Sequence, residues 1–180
     1  ITSPVRASAT RVDAGAASVD LVDLADYRLP LLDERLPPKY GQYEHDHTRT
    51  WAETIGGYDG FVFVTPEYNH SMPAALKNAI DWASSPVAGH PVWSDGTLPF
   101  RGKVVGMLSA SPGGLGGLRS QSHLAPLLLN LECWLAPQAF ALGHAGSAFD
   151  EAGALVDAAH HGRVRSVVEQ VLWASQRLGR

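Results

Sequence analysis

The sequence predicts an α/β fold built on a parallel sheet, because short β-rich runs alternate with helical patterns along its 180 residues. Residues 61–64 and 104–108 are continuously apolar, which is typical of strands covered on both faces. Residues 19–24 alternate apolar and acidic side chains and predict a strand near a sheet edge, and residues 138–142 predict a weaker strand. Strands joined through helices indicate right-handed β-α-β crossovers and a layered sandwich.

Helical patterns fill the intervals between the predicted strands. Apolar residues recur at helical spacing in four stretches: residues 47–55, 71–84, 117–135 and 150–178. In the second stretch, Ser71 can act as the N-cap and Pro73 suits the first turn. In the third, Pro126 removes a backbone hydrogen bond and predicts a bend.

The composition fits one domain and excludes several classes of protein. A chain of 180 residues that is 45% hydrophobic has the size of one globular domain, which we expect to span residues 1–180. The net charge of -4 argues against a nucleic-acid partner, and no apolar run reaches the roughly 18 residues of a membrane span. The single cysteine precludes an internal disulfide, and residues 1–12 lack a signal-peptide pattern, so we expect a cytoplasmic protein.

The candidate binding site is formed by three loops, because parallel sheets bind ligands beyond the carboxyl ends of their strands. The first loop, residues 2–8, offers the hydroxyls of Ser3 and Ser8 and the guanidinium of Arg6 as donors to a phosphate. An N-terminal tail that merely contains serine and arginine explains the same residues equally well.

The second loop, residues 65–71, follows a buried strand and opens a helix. Tyr68 can pack on a planar ring, while backbone groups of residues 67–69 can read the polar edge of that ring. A turn in which Asn69 and Ser71 serve only as caps is the alternative. Two prolines bracket this loop and restrict its backbone more than capping requires, which favours binding. The candidate ligand contacts here are Pro66, Glu67, Tyr68 and Asn69.

The third loop, residues 111–117, contains four glycines. Glycine lets the backbone approach a flat ligand closely and adopt positive φ. The candidate contacts in this loop are Ser111, Gly113 and Gly114. A flexible surface turn is the alternative, but its position after a buried strand favours binding.

Residues 65–82 resemble the signature of NADPH-dependent FMN reductases, which are flavodoxin-like quinone, azo-dye and chromate reductases. The third loop and the helix start after it, residues 109–119, are similar to the corresponding turn of that family. In the first loop Ser3, Arg6 and Ser8 are similar as well, although Thr2 stands where the family usually has glycine. The resemblance covers residues 1 to about 145.

This resemblance implies a three-layer sandwich with a five-stranded parallel sheet in the order 2-1-3-4-5. It implies bound FMN, with the phosphate in the first loop and the ring between the second and third loops. Hydride from NADPH or NADH would pass to flavin N5, and electrons then to FMN, a quinone or a similar small acceptor. No catalytic side chain is required, since the cofactor carries the chemistry. Homodimers or homotetramers are implied too.

The sequence is also compatible with two other functions. The chain could be a degenerate flavodoxin-like binding module whose altered first loop no longer holds FMN. It could also be an electron carrier without nicotinamide turnover. Only Ile1 and Thr2 precede the first loop, and nine residues separate Ser8 from Ser18, where a parallel crossover needs about a dozen. We therefore expect residues before Ile1 and within this crossover to be missing, or else a true truncation.

Several further residues have less specific interpretations. Residues 44–47 resemble a metal cluster but lack a third ligand at suitable spacing, so we expect no metal site. The long loop at residues 85–102 would cover the flavin or pack against a neighbouring subunit. Arg119 would face the nicotinamide phosphate or be a surface arginine at a helix start. Cys133 lies in an apolar stretch and is expected to be buried and inert.

Overall fold

The computed structural model describes residues 11–14, 17–43 and 47–178. Its strands are β1 (Arg11–Ala14), β2 (Ala17–Asp20), β3 (Gly60–Pro66), β4 (Val104–Ala110), β5 (Trp134–Leu135) and β6 (Phe140–Leu142). Its α-helices are α1 (His47–Gly56), α2 (Ala74–Ala83), α3 (Leu118–Asn130) and α4 (Ala158–Leu178). None of the described helices is both long enough and apolar enough to cross a bilayer.

The main sheet is parallel and is centred on β4. Strand β3 pairs with β4 along its whole length, from Gly60 opposite Val104 to Pro66 opposite Ala110. On the other side of β4, β5 pairs with its beginning and β6 with its end, so these two short strands lie along the same edge of β4. The carboxyl ends of β3, β4 and β6 therefore meet at one edge of the sheet.

Helices cover both faces of this sheet. Met107 of β4 belongs to a core cluster with residues of α1, α2 and α3, including Trp51, Ile80 and Leu124. The opposite face of the sheet packs on α4, where Cβ added to Gly106 would lie within 2.8–2.9 Å of valine side chains of α4. The alternation of the two faces along β4 is the period-2 pattern of a buried strand, and the result is a three-layer arrangement.

The structure corrects the prediction for residues 19–24. Only Val19 and Asp20 of that run are in a strand, and this strand, β2, pairs antiparallel with β1 in a separate two-stranded ribbon. A 3₁₀ turn begins at Leu24, where the Asp23 carboxylate accepts a hydrogen bond from the Ala25 N–H at 2.9 Å. The alternating acidic residues thus include a turn cap, which alternation alone does not reveal.

The predicted strand at residues 61–64 is present, but the expectation that it is covered on both faces is wrong at its end. Val64 is 71% exposed. Within the described residues β3 pairs only with β4, so its other edge has no strand beside it.

Two predicted helices are shorter than expected. The apolar pattern at residues 117–135 yields a helix that ends at Asn130, because Glu132 adopts a left-handed φ of 63° and the chain then enters β5. Pro126 is inside this helix, as predicted. The pattern at residues 150–178 becomes helical only from Ala158, where the Asp157 carboxylate accepts the Ala159 N–H at 2.8 Å.

Candidate functional site

The second and third loops leave the sheet side by side at its carboxyl edge. Pro66, the last residue of β3, is in register with Ala110, the last residue of β4. The loop that follows β6, residues 143–147, flanks the third loop on its other side, since the His144 N–H donates to the Gly113 carbonyl at 3.3 Å. The carboxyl-edge rule thus brings together the two loops that the sequence singled out.

The second loop folds into a tight two-residue hairpin, which we call the 68–71 turn. Tyr68 and Ser71 exchange backbone hydrogen bonds of 2.9 and 3.0 Å. Asn69 and His70, at the centre, both have positive φ, 48° and 64°, which is the sign pattern of a type I′ turn. Among residues other than glycine, asparagine and histidine are enriched in left-handed backbone, so the local sequence is compatible with this turn.

The expected capping role of Ser71 is wrong. Helix α2 begins after Pro73, which provides no side-chain cap. The Ser71 hydroxyl instead shares a hydrogen bond of 2.9 Å with Nδ1 of His123 on α3. The polar side chain at this position joins the second loop to the helix that follows the third.

A second contact joins the same two elements through Glu67. Its Oε2 accepts the backbone N–H of Arg119 at 3.1 Å, and its Oε1 accepts a hydrogen bond from Nη1 of Arg119 at 3.2 Å. The Glu67 side chain is only 11% exposed, against 45% for Arg119. A carboxylate at the first turn of α3 is favoured by the helix dipole as well as by the ion pair.

The four glycines of the third loop fall into two pairs with different surroundings. Cβ at Gly116 would lie 2.6 Å from backbone atoms of residues 141–143, and Cβ at Gly117 would lie 2.8 Å from that of Ser109. Both residues also have positive φ, 61° and 88°. The fold itself therefore requires glycine at these two positions.

Gly113 and Gly114 are under no such constraint. Neither has a φ in the left-handed region, and the nearest atoms to an added Cβ lie at 3.8 and 3.5 Å. Both are exposed, and neither backbone N–H donates to another described residue. These two residues present bare backbone with free donors at the carboxyl edge of β4.

A buried hydrogen-bond network anchors the third loop from below. Nε2 of Gln121 on α3 donates to Oγ of Ser109 at 2.8 Å and to the Phe140 carbonyl at 2.9 Å. The Ser109 hydroxyl donates in turn to the Gly116 carbonyl at 2.8 Å. Ser109 and Gln121 are both buried, at 4% and 5% exposed. The network ties β4, β6, α3 and the loop into one rigid support.

The predicted contacts of the second and third loops thus occupy one edge of the molecule: Pro66, Glu67, Tyr68, Asn69, Ser111, Gly113 and Gly114. The Tyr68 ring is 64% exposed at this edge. Ser3, Arg6 and Ser8, the predicted phosphate contacts, lie outside the described residues. Exposed backbone donors and an exposed aromatic ring at the same edge fit a flat group with a polar rim, as expected for a flavin ring. The residues present therefore fit this half of FMN.

The long loop at residues 85–102 is not part of this edge. Arg101, near its end, donates through Nε to the Glu132 carboxylate at 2.6 Å, at the start of β5. Trp93 packs on Gly56 at the end of α1. Both contacts lie at the amino-terminal edge of the sheet, so the prediction that this loop covers the flavin is wrong. Its contact with a second subunit stays a prediction.

Sequence reasoning missed the pairing of Glu67 with Arg119 and of Ser71 with His123. Arg119 is a surface arginine at a helix start, as one interpretation held, and its partner is the second loop. The sequence does contain one signal for the first pair: the acidic Glu67 follows β3, and the basic Arg119 follows the loop after β4, the parallel neighbour of β3. No group of three or more metal-ligating side chains occurs within the described ranges, and residues 44–46 lie outside them.

Comparison with known proteins gives consistent matches. The sequence profile of the NADPH-dependent FMN reductases matches residues 4–147. An NAD(P)H-dependent FMN reductase of Pseudomonas aeruginosa is 35% identical over 160 residues, 88% of this chain and 77% of the relative. A quinone reductase of Pseudomonas putida is 34% identical over 142 residues, 78% of this chain and 69% of the relative.

Among solved structures, the flavoenzyme FerB of Paracoccus denitrificans, an NAD(P)H:(acceptor) oxidoreductase, superimposes with a TM-score of 0.59. The two sequences are 26% identical, and the match covers 81% of this chain and 78% of that one. Together with the parallel sheet, this similarity gives the chain a flavodoxin-like α/β fold. Since the family profile spans most of the sequence, the chain belongs to the NADPH-dependent FMN reductase family.

Proposed function

We propose that the protein is an NAD(P)H-dependent flavin oxidoreductase that binds FMN at the carboxyl edge of its sheet. The acceptor would be a small molecule: free FMN, a quinone or a similar compound. The observation that carries the proposal is that the exposed backbone at Gly113 and Gly114 and the 68–71 turn follow two strands that end in register at the same edge of the sheet. Membership of the family supplies the chemical class.

Bound FMN would supply the redox chemistry, accepting hydride from NADPH or NADH and giving electrons to the acceptor. The chain's own residues position it. The free N–H groups of Gly113 and Gly114 would donate to the polar rim of the ring, and the Ser111 hydroxyl contacts the Gly113 carbonyl beside them. Tyr68 and the backbone of the 68–71 turn would contact the ring from the other side.

No side chain at this edge is required to act as an acid or base. The Glu67 carboxylate accepts hydrogen bonds with both of its oxygens from Arg119, so it is already engaged. The contribution of Pro66, Glu67 and Asn69 to the ligand would therefore come from the backbone. The phosphate would be held by Ser3, Arg6 and Ser8, which is the prediction from the first loop.

The finer expectations belong to the same proposal. The five-stranded order 2-1-3-4-5 is consistent with the edge of β3 away from β4, where no other strand of the described residues pairs and a further parallel strand can fit. A single domain, a cytoplasmic location and a homodimer or homotetramer are the predictions that follow from composition and from the resemblance.

The proposal is tested by adding FMN to the purified protein and following flavin fluorescence and the absorbance band near 450 nm. Oxidation of NADPH and of NADH is then measured with and without a benzoquinone. Saturable binding and acceptor-dependent oxidation are expected. Binding without nicotinamide oxidation would replace the proposal with an electron carrier, and no binding would favour the degenerate module.

A further inference from the structure

Two side-chain contacts hold the second loop against α3, Glu67 with Arg119 and Ser71 with His123. Resting on the function proposed above, we propose that Arg119 is a positioning residue. By holding Glu67 it keeps the 68–71 turn in the shape that receives the flavin ring. Arg119 would act without touching the ligand.

The geometry of the ion pair supports this role. Both Glu67 oxygens are used, one by the backbone N–H that starts α3 and one by the Arg119 guanidinium, at 3.1 and 3.2 Å. A carboxylate that is only 11% exposed needs such partners. Glu67 directly precedes the turn, so fixing its side chain on α3 also fixes the direction in which the turn begins.

Side chains on either side of the two central residues join the 68–71 turn to α3. Asn69 and His70 both have left-handed backbone, in which asparagine and histidine are enriched among residues other than glycine. The reciprocal hydrogen bonds between Tyr68 and Ser71 close the turn but do not attach it to the molecule. Attachment to α3 comes from the Glu67–Arg119 pair at one end of the turn and the contact of Ser71 with His123 at the other.

Arg119→Ala removes the guanidinium contact and leaves Glu67 only the backbone N–H of residue 119, which should lower the fraction of molecules with the turn correctly placed. A ligand that binds only that fraction then shows a proportionally weaker apparent affinity. Because this N–H and the contact of Ser71 with His123 remain, we expect Arg119→Ala to raise the FMN dissociation constant by only roughly three- to tenfold.

The test compares three variants with the wild-type protein. Arg119→Ala removes the guanidinium, and Arg119→Lys keeps the charge without the planar fork. Lys77→Ala is the matched control: it breaks an exposed ion pair with Asp81 on α2, and Lys77 is 48% exposed, close to the 45% of Arg119. Flavin fluorescence gives the dissociation constant of each protein. Amide hydrogen exchange on the flavin-free proteins measures opening at Tyr68 and Ser71.

We expect faster exchange at Tyr68 and Ser71 and weaker FMN binding in Arg119→Ala, with intermediate values in Arg119→Lys and wild-type values in Lys77→Ala. Unchanged exchange at both amides in Arg119→Ala would overturn the proposal, as would faster exchange with unchanged FMN affinity. If the wild-type protein binds no FMN, the proposed function fails. The exchange measurement still decides whether Arg119 holds the turn, because it uses no flavin. Arg119→Lys supplies that answer if Arg119→Ala does not fold.

Discussion

Alanine substitutions at Gly116 and Gly113 should affect different properties, stability at Gly116 and FMN binding at Gly113, although the two residues are three apart in one loop. Cβ at Gly116 would lie 2.6 Å from three backbone atoms, where ordinary contact begins at 3.4 Å. The loop and the end of β6 would have to separate by about 0.8 Å, and such overpacking costs about 1–3 kcal/mol. The φ of 61° adds about 1–2 kcal/mol for a residue with a side chain.

We therefore expect Gly116→Ala to lose about 2–5 kcal/mol of unfolding free energy and to melt roughly 10 °C lower. Gly113→Ala meets no atom closer than 3.8 Å, so its stability should stay within about 0.5 kcal/mol of wild type. Its new methyl group would instead occupy the face proposed for the flavin, and we expect about tenfold weaker FMN binding, equivalent to roughly 1.4 kcal/mol.

Thermal unfolding of the flavin-free proteins, followed by circular dichroism, measures the first effect, and flavin fluorescence titration measures the second. A Gly116→Ala protein as stable as wild type would refute the packing argument. A Gly113→Ala protein that binds FMN with wild-type affinity would refute the placement of the ring over this part of the loop.

Two further predictions concern titratable groups away from the site. Burial raises the pKa of Cys133 to about 12. A thiol reagent at about pH 8 should therefore leave Cys133 of the native protein unmodified and label it fully once guanidinium has unfolded the chain. Labelling of the native protein would contradict this prediction. The Thr97 N–H, and then the Arg101 guanidinium, hold the pKa of Asp95 below its ordinary 3.8. The unfolded chain therefore binds this proton more readily, so the stability Asp95 contributes is present above about pH 4 and lost as pH falls further. Asp95→Asn should have a shallower fall of melting temperature between about pH 5 and pH 2, and parallel profiles would rule this out.

The elements that a local pattern determines could be predicted from the sequence. The apolar run at residues 104–108 lies within β4, and the helical pattern at residues 47–55 corresponds to α1. The end of α3 could not be predicted in this way, because Leu131 and Cys133 continue the apolar pattern after the helix has ended. What stops it is tertiary: the Trp134 N–H donates to the Lys103 carbonyl at 2.9 Å, which draws the chain into the sheet. A contact between residues that are 31 positions apart does not alter the helical spacing of the apolar residues, so this spacing cannot reveal where the helix ends.

The location of the candidate site could be predicted, but not its internal contacts. The carboxyl-edge rule requires only the order of strands and loops, which the sequence reveals. The pairing of Glu67 with Arg119 depends in addition on the register of β3 on β4, with Pro66 opposite Ala110. A register shifted by one residue would turn the side chains of one strand to the other face of the sheet. The hydrophobic pattern indicates which residues are buried, whereas the ion pair of Glu67 with Arg119 depends on the exact positions of both side chains.

The glycines of the third loop show why composition alone could not separate fold from function there. In the sequence, four glycines around Leu115 look equivalent, and each could serve a ligand. Gly116 and Gly117 are instead required by the close approach of the loop to β6 and to Ser109. Because the fold already uses that pair to fix the loop, the bare backbone at Gly113 and Gly114 rests on a rigid support, as a binding surface requires. At Gly113 and Gly114 an added Cβ would meet nothing within 3.4 Å, so packing does not account for the missing side chains, and we propose that the ligand does.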